Sequence, residues 1–333
     1  RNTNSIALGV GSLSDGVDST AIGPRARATG HNAFAVGVNA TATGNNAFAF
    51  GVGARAIGDD SFCVGDNCFD SDTSVNSSAT GDDAKVIASN AGFAYGTDSV
   101  VMHSPNSFAY GTDSTVGFAN NAVASGTSSL ARGDNSMAYG TNSTTATGST
   151  NATTFGHNAY ANGVNTQAAG TSAQANGTNA QASGPNARAI GFNAVAQGAD
   201  AVAEGRNVIA IGTGARALGY NTNVMAMGTD GYAEGTNAMA MGTNSYAVGI
   251  NVTAIGPCAR ACGLDTTAFG TKAIAYGDQA LAVGAFSSAY GDYTSAFGPG
   301  ATSRAFGSTA IGMNAVTTRP FEVSLGSAAS PYS

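Results

Sequence analysis

Glycine recurs at every seventh position over much of this chain. The spacing holds for nine consecutive steps from Gly156 to Gly219 and for ten more from Gly228 to Gly298. Each heptad follows the pattern x-(Asn/Asp)-(Ala/Ser)-x-Ala-x-Gly, as residues 192–198 show with FNAVAQG. Repetition at a short fixed period is typical of stacked repeats that share one continuous core. The 333 residues are therefore predicted to form one repeat array and not two globular domains.

The heptad pattern favours strands over helices. A coiled coil needs large apolar residues at two positions per heptad, and a glycine in every second helical turn would cost about 1 kcal/mol each time. Within each heptad, small residues at the third and fifth positions alternate with variable residues at the fourth and sixth, which is the period of a strand. Glycine followed by Asn or Asp supplies turn residues that tolerate positive φ. We predict an all-β solenoid with a turn at each heptad boundary.

Alternate heptads differ at the fourth and sixth positions, which indicates that one coil spans two heptads. In one set, called set A, these positions carry no charge; in the other, called set B, they carry most of the arginines. This alternation survives the short insertions at 65–126, 140–156, 219–228 and 298–307. The prediction is a parallel β-roll with two strands in each coil of two heptads, and about 20 coils in all. The array spans residues 1–312, with irregular coils at 65–126, and residues 313–333 are an exit segment or cap.

The two sets predict two different outer faces. If the small third and fifth residues fill the interior, sheet A, formed by set A, presents a continuous apolar face that a single copy would expose. The opposite assignment, with the fourth and sixth positions inside, would bury the arginines of set B without partners. Because soluble proteins rarely expose such a stripe, we expect self-association along sheet A. The predicted interface residues are Phe34, Val36, Phe48, Phe50, Phe62, Val64, Phe93, Phe108, Met137, Ile209, Ile211, Met225, Met227, Met239, Met241, Phe269 and Leu281.

Sheet B, formed by set B, is expected to face water with a column of arginines. Three interpretations stay open: a solvated face, a binding stripe for an acidic partner, or pairing with neighbouring Asp and Glu side chains. The column consists of Arg27, Arg55, Arg188, Arg216 and Arg260.

The four cysteines form two pairs in the sequence. Cys63 and Cys68 lie on either side of a Gly-Asp turn, so they are either joined by a disulfide across the roll or are two free core residues. Cys258 and Cys262 are expected in one strand, about 13 Å apart at ~3.3 Å per residue, as free thiols or as an intersubunit link.

Seven aspartates in the irregular region predict a solvated acidic loop, with bound calcium as the alternative. They are Asp59, Asp60, Asp66, Asp70, Asp72, Asp82 and Asp83.

Composition and charge argue against several classes of function. The net charge is −7, no basic stripe dominates, and no run of 18 apolar residues occurs, so nucleic-acid binding and membrane insertion by this chain are not expected. No nucleophile lies beside a base, and no histidine accompanies a cysteine pair. We therefore expect no enzyme activity, no cofactor and no metal site.

The motifs NSIALG (4–9), NVIAIG (207–212) and STAIG (308–312) resemble the N-S-V-A-I-G signature of trimeric autotransporter adhesin heads, the YadA-like heads built of Hep/Hag repeats. The resemblance implies a left-handed parallel β-roll that forms a side-by-side homotrimer through sheet A. It also implies display outside the cell, on a cell or virion surface. The partners implied are extracellular matrix or cell-surface macromolecules, or other copies of the chain. The alternative is a structural fibre or filament subunit, of a virus particle or an extracellular appendage, that assembles end to end.

Overall fold

The structure, a computed structural model, describes residues 4–219 and 223–326. Within these residues lie 45 short β-strands and no helix. The chain divides into an N-terminal unit, Arg1–Ser172, and a C-terminal unit, Ala173–Ser333. In each unit the odd-numbered strands form sheet A and the even-numbered strands form sheet B, and all pairings are parallel. Consecutive strands alternate between the sheets, so the chain is a β-solenoid of about 23 turns.

In the N-terminal unit sheet A has twelve strands. They are β1 (Ile6–Leu8), β3 (Thr20–Ile22), β5 (Phe34–Val36), β7 (Phe48–Phe50), β9 (Phe62–Val64), β11 (Ser78–Thr80), β13 (Phe93–Tyr95), β15 (Phe108–Tyr110), β17 (Val123–Ser125), β19 (Met137–Tyr139), β21 (Thr153–Phe155) and β23 (Gln167–Ala169). Sheet B there consists of β2 (Leu13–Ser14), β4 (Arg27–Ala28), β6 (Thr41–Ala42), β8 (Arg55–Ala56), β10 (Phe69–Asp70), β12 (Lys85–Ile87), β14 (Val100–Met102), β16 (Thr115–Gly117), β18 (Leu130–Ala131), β20 (Thr144–Thr145) and β22 (Tyr160–Asn162).

In the C-terminal unit each sheet has eleven strands. Sheet A consists of β25 (Gln181–Ser183), β27 (Val195–Gln197), β29 (Val208–Ile211), β31 (Val224–Met227), β33 (Met239–Met241), β35 (Thr253–Ile255), β37 (Thr267–Phe269), β39 (Leu281–Val283), β41 (Ser295–Phe297), β43 (Thr309–Ile311) and β45 (Val323–Leu325). Sheet B consists of β24 (Gln174–Asn176), β26 (Arg188–Ile190), β28 (Val202–Gly205), β30 (Arg216–Gly219), β32 (Tyr232–Thr236), β34 (Tyr246–Ile250), β36 (Arg260–Leu264), β38 (Ile274–Ala275), β40 (Ser288–Ala289), β42 (Thr302–Ser303) and β44 (Val316–Thr317).

The register confirms that one coil takes two heptads. Ala7 pairs with Ala21, and Ala21 with Ala35, so equivalent residues recur after two heptads. The predicted parity of sets A and B holds in every described strand. The count exceeds the predicted 20, in part because β44 and β45, which follow residue 312, also pair with their neighbours. The strands therefore do not end at residue 312, where we predicted the boundary. The last part of the predicted exit segment, 327–333, lies outside the described residues.

The interior is a thin layer of small side chains. The alanines at the third and fifth heptad positions are almost all fully buried, as Ala194 and Ala196 illustrate. Residues at the fourth and sixth positions point outward and are half-buried or exposed, as Val195 and Gln197 show. This excludes the alternative in which the fourth and sixth heptad positions face the interior. Because each coil lies about 4.8 Å from the next, the buried alanines of successive coils stack into a continuous core within each unit.

The turn residues explain the Gly-x-Asn spacing. Gly37 has φ +137°, and a Cβ atom built there would lie 2.1 Å from the carbonyl oxygen of Gly51 in the next coil. Two residues after Gly37, Asn39 adopts the left-handed conformation with φ 59°, which Asn tolerates better than most residues. Close stacking of the coils thus requires glycine, and the turn that follows favours Asn or Asp.

The irregular coils lie where the sequence predicted them. Cys63 pairs with Ala79, Ala79 with Ala94, and Ala94 with Ala109, so each of these coils is longer than two heptads. In three coils of this region the inward-facing residue of sheet B is a fully buried valine instead of alanine. These residues are Val86, Val101 and Val116. The longer coils thus accompany larger interior side chains.

Candidate interaction surfaces

The outer face of sheet A in the N-terminal unit carries stacked aromatic rings. Phe34, Phe48 and Phe62 lie on adjacent strands, with centroids 5.0 and 4.9 Å apart and nearly parallel planes. Phe93 and Phe108 stack in the same way at 4.9 Å. Such pairs contribute about 0.5–1.5 kcal/mol beyond the area they bury. The rings are ordered by the parallel register, which places equivalent side chains directly above one another.

The predicted interface residues of this unit all lie on that outer face and remain partly accessible in the single chain. Phe50, Phe62, Phe108 and Met137 are between 36% and 49% exposed. The remaining predicted residues of this unit are half-buried: Phe34, Val36, Phe48, Val64 and Phe93. None of the described strands of sheet A carries a charged side chain on this face. The face is therefore uncharged and largely apolar, with polar residues such as Ser78, Thr80 and Gln167 at some outward positions.

In the C-terminal unit the same face is aliphatic and sulfur-rich. Met225 pairs with Met239 and Met227 with Met241 on adjacent strands, so four thioethers share one area. The remaining predicted residues, Ile209, Ile211, Phe269 and Leu281, follow the same outward positions. A groove of about 560 Å³ lies here, and its lining includes Val195, Ile209, Met225 and Met239 together with Asn residues. Methionine adapts to irregular contacts, which suits an interface.

Sheet B faces outward with the five predicted arginines, and each of them is exposed. They are Arg27, Arg55, Arg188, Arg216 and Arg260. Their surroundings differ along the chain. The guanidinium of Arg55 lies over the ring of Phe69 at 5.2 Å, whereas Arg188 forms an ion pair with Glu204 at 3.5 Å. Arg260 is hydrogen-bonded to Tyr276, which raises the pKa of its guanidinium.

Two stacked tyrosines lie on the outward face of sheet B in the C-terminal unit. The rings of Tyr232 and Tyr246 stack at 5.2 Å between Arg216 and Arg260 in the same register. The hydroxyl of Tyr232 donates a hydrogen bond to the Glu234 carboxylate. This hydrogen bond stabilises the neutral phenol and raises its pKa to about 12. Acidic and basic groups are therefore intermixed on this surface.

Cys63 and Cys68 are joined by a disulfide, with Cα atoms 5.8 Å apart and both residues fully buried. Cys63 belongs to β9 and Cys68 directly precedes β10. The bond links the two sheets across one corner. Cys258 and Cys262 are free thiols. Contrary to our expectation they do not share a strand: Cys258 occupies the turn before β36 with φ 56°, because it replaces the Asn of the heptad.

Asp70 does not belong to a solvated loop, as we had predicted, but is fully buried inside the N-terminal unit. It stands at the fifth heptad position, between Ala56 and Val86 in the register. Both carboxyl oxygens lie 2.7–2.8 Å from the hydroxyl of Ser77, which can donate only one proton. Desolvation raises the pKa of Asp70 to about 7, although the Ser77 hydrogen bond lowers it. Aligning the fifth positions would have revealed this carboxyl group in the sequence.

The other six aspartates of the predicted acidic loop are accessible. The side chains of Asp59, Asp66 and Asp82 accept hydrogen bonds from backbone N–H groups of the preceding coil. Among the described residues no group of three or more His, Cys, Asp or Glu is arranged to hold a metal ion. In the same part of the chain no helix is long and apolar enough to cross a membrane. Within the structure these carboxylates act as turn residues.

Seven stretches of the chain match the family described as YadA head domain repeat (2 copies), and together they cover more than half of it. They are residues 2–26, 28–54, 119–143, 189–215, 233–257, 263–287 and 289–315. The chain belongs to the YadA head family. The resemblance inferred from NSIALG and its relatives is thereby confirmed.

A solved structure similar to this YadA-like head is the crystal structure of the collagen-binding domain of Yersinia adhesin YadA. The two are 21% identical, the match covers 50% of this chain and 80% of that chain, and the TM-score is 0.32. Curated proteins give no match to the chain.

Proposed function

We propose that this YadA-like head is a non-catalytic, surface-displayed adhesin that works as a side-by-side homotrimer. The observation that carries the proposal is the outer face of sheet A, which is free of charge in every described strand of both units. Side chains such as Phe62, Phe108 and Phe269 are 41–52% exposed in one chain. Burying them against identical copies removes apolar surface from water at about 25 cal/mol per Å². Family membership supports three copies and display outside the cell.

The proposed partners are extracellular matrix or cell-surface macromolecules. Each unit presents an outer face of sheet B built from eleven strands, so contact residues are expected on that face and its turns. Association of three copies multiplies each weak contact, because linked binding sites raise the effective concentration of the partner. Collagen, the ligand of the Yersinia domain named above, is included among the surfaces to test.

The test compares adhesion of the full chain with that of two variants. Wild-type protein on beads is expected to bind surfaces coated with collagen, fibronectin or cultured cells. Phe48→Glu combined with Met239→Glu places charges on sheet A and should weaken binding about tenfold or more through loss of avidity. Tyr246→Glu adds a charge on sheet B and is the matched control for assembly: its molar mass should equal that of wild type, while that of the sheet A variant should fall. Equal adhesion by wild type and the sheet A variant would contradict the proposal. Rods joined end to end without adhesion would favour the fibre alternative.

A further inference from the structure

The outer face of sheet B in the N-terminal unit carries basic residues and no carboxylate over most of its length. From β4 to β22 every outward-pointing Arg, Lys, Asp or Glu on these strands or directly after them is a cation. Asp70, the one acidic residue in these strands, points inward. The cations are Arg27, Arg55, Lys85 and Arg132, and all four are exposed. The whole chain has a net charge of −7, so the charge of this face is opposite in sign to that of the chain.

Three of these cations are regularly spaced in one column. The register runs Arg27, Thr41, Arg55, Phe69 and Lys85, on strands β4 to β12. Cations therefore occupy every second strand, about 10 Å apart at ~4.8 Å per strand, and the column is about 20 Å long across the strands. We call these three residues the basic column.

The basic column has no carboxylate partner. The ion pairs among the described residues are Arg188–Glu204 and Arg319–Glu322, both in the C-terminal unit. Arg55 instead lies over the ring of Phe69, 5.2 Å from its centroid, and forms no ion pair with a carboxylate among the described residues. The three cations are therefore available to an anion from outside the chain.

One carboxylate, the exposed Asp15, lies on the outer face directly after β2, at the N-terminal end of the column next to β4. The other nearby aspartates are placed at the turns. Asp59, Asp60, Asp66, Asp82 and Asp83 follow or precede the strands and do not interrupt the outer face. A wide polyanion would meet these carboxylates on both sides of the column. A single narrow chain lying lengthwise on the column would meet the cations first.

We propose that the basic column binds a sulfated polysaccharide chain laid along it. Arginine donates paired hydrogen bonds to the oxygens of a sulfate group, and lysine adds a point charge. Sulfate groups that recur once per disaccharide suit cations on every second strand. The hydroxyl of Thr41 lies between two cations and can bond a sugar hydroxyl. Single-stranded nucleic acid is disfavoured, because its bases stack on aromatic side chains along a positively charged groove, and Arg55 already lies over the Phe69 ring.

This inference deepens the proposed function, since it names one class of cell-surface partner. It requires sheet B to be accessible in the assembled protein. Self-association through sheet A would leave that face free.

The probe is heparin immobilised on a sensor surface, with the full-length chain in solution at about 0.15 M salt. Wild-type protein is expected to bind and to dissociate as salt rises, because each contact is electrostatic. The triple variant Arg27→Gln, Arg55→Gln, Lys85→Gln should bind about tenfold more weakly or worse. The matched control Arg188→Gln, Arg216→Gln, Arg260→Gln removes the same charge from the C-terminal unit. Its affinity should stay within about twofold of wild type.

Several results would overturn the inference. They are absence of wild-type binding, equal loss in both triple variants, and equal binding to unsulfated hyaluronan, polyglutamate or DNA. Adhesion to collagen, fibronectin or cells and the oligomeric mass are measured on the same samples. If those are normal while heparin does not bind, the glycan inference alone fails; if the mass is that of one chain, the proposed trimer fails independently.

Discussion

The two units have the same backbone architecture and differ in the side chains and coil lengths that they add to it. Both stack parallel strands around buried alanine, with glycine where coils approach each other. The N-terminal unit adds a run of long coils, a disulfide, a buried carboxyl group and stacked phenylalanines. The C-terminal unit keeps most coils at two heptads and carries methionines and paired charges. The comparison indicates that third, fifth and seventh heptad positions fix the fold, while the fourth, sixth and turn positions are free to vary with function.

The largest expected difference between the units is their response to pH. Asp70 is the one fully buried charged residue among those described. Its pKa of about 7 lies above the ordinary 3.8, so the folded state holds a proton that the unfolded state has already released. Stability of the N-terminal unit should therefore fall as pH rises from about 4 to 7 and then level off, with a total loss of roughly 4 kcal/mol.

Asp70→Asn tests this difference, with the exposed residue Asp72→Asn as control. Amide hydrogen exchange of residues 55–92 at pH 5 and pH 8, corrected for intrinsic rates, gives the local stability. Asp70→Asn should remove the pH dependence and protect these amides at pH 8. The same dependence in wild type and Asp70→Asn would show that another group is responsible.

Replacing a glycine where successive coils approach each other should destabilise both units to a similar extent. A Cβ atom at Gly37 or Gly256 would lie 2.1 or 2.6 Å from backbone of the next coil, at φ +137° and +125°. Gly37→Ala and Gly256→Ala are each expected to cost about 3 kcal/mol, from strain and displaced coils. Gly117→Ala, where a Cβ atom meets nothing within 4 Å, is the control. Urea unfolding that ranks Gly117→Ala with the other two would contradict the stacking argument.

The disulfide should stabilise the N-terminal unit alone. Closing the short loop between Cys63 and Cys68 restricts the unfolded chain by about 2 kcal/mol. Cys63→Ala with Cys68→Ala restores the common heptad residues and should lower stability by that amount. Cys258→Ala with Cys262→Ala is the control and should change little. Thermal unfolding that is equally affected by both pairs would argue against a stabilising bond.

The smallest expected effect concerns the ion pair of the C-terminal unit. The side chains of Arg188 and Glu204 are 47% and 42% exposed, so solvent screens their attraction. A double-mutant cycle with Arg188→Gln and Glu204→Gln should give a coupling below about 1 kcal/mol that falls with added salt. A salt-insensitive coupling above that value would mean that the pair is shielded by something outside the single chain.

The sequence predicted most of the fold because its signals are local and repeated. Glycine spacing, the parity of the arginines and the alternation of alanine are enough to place the strands and both outer faces. The carboxyl group of Asp70 was misassigned because it was read with its acidic neighbours and not by its heptad position. Cys258 was misassigned because it was placed by its distance from Cys262 and not by its heptad position, which is that of the turn residue Asn. The end of the array was misplaced because the last two strands carry Thr317 and Ser324 at the fifth heptad position in place of the usual alanine.

The central claim is that the uncharged outer face of sheet A is covered by identical copies. Light scattering of the purified protein measures this directly as a molar mass. One chain has a mass of 32.6 kDa, so a trimer is expected at three times 32.6 kDa. A stable 32.6 kDa species, with Phe62 and Phe108 still exposed to solvent, would contradict it.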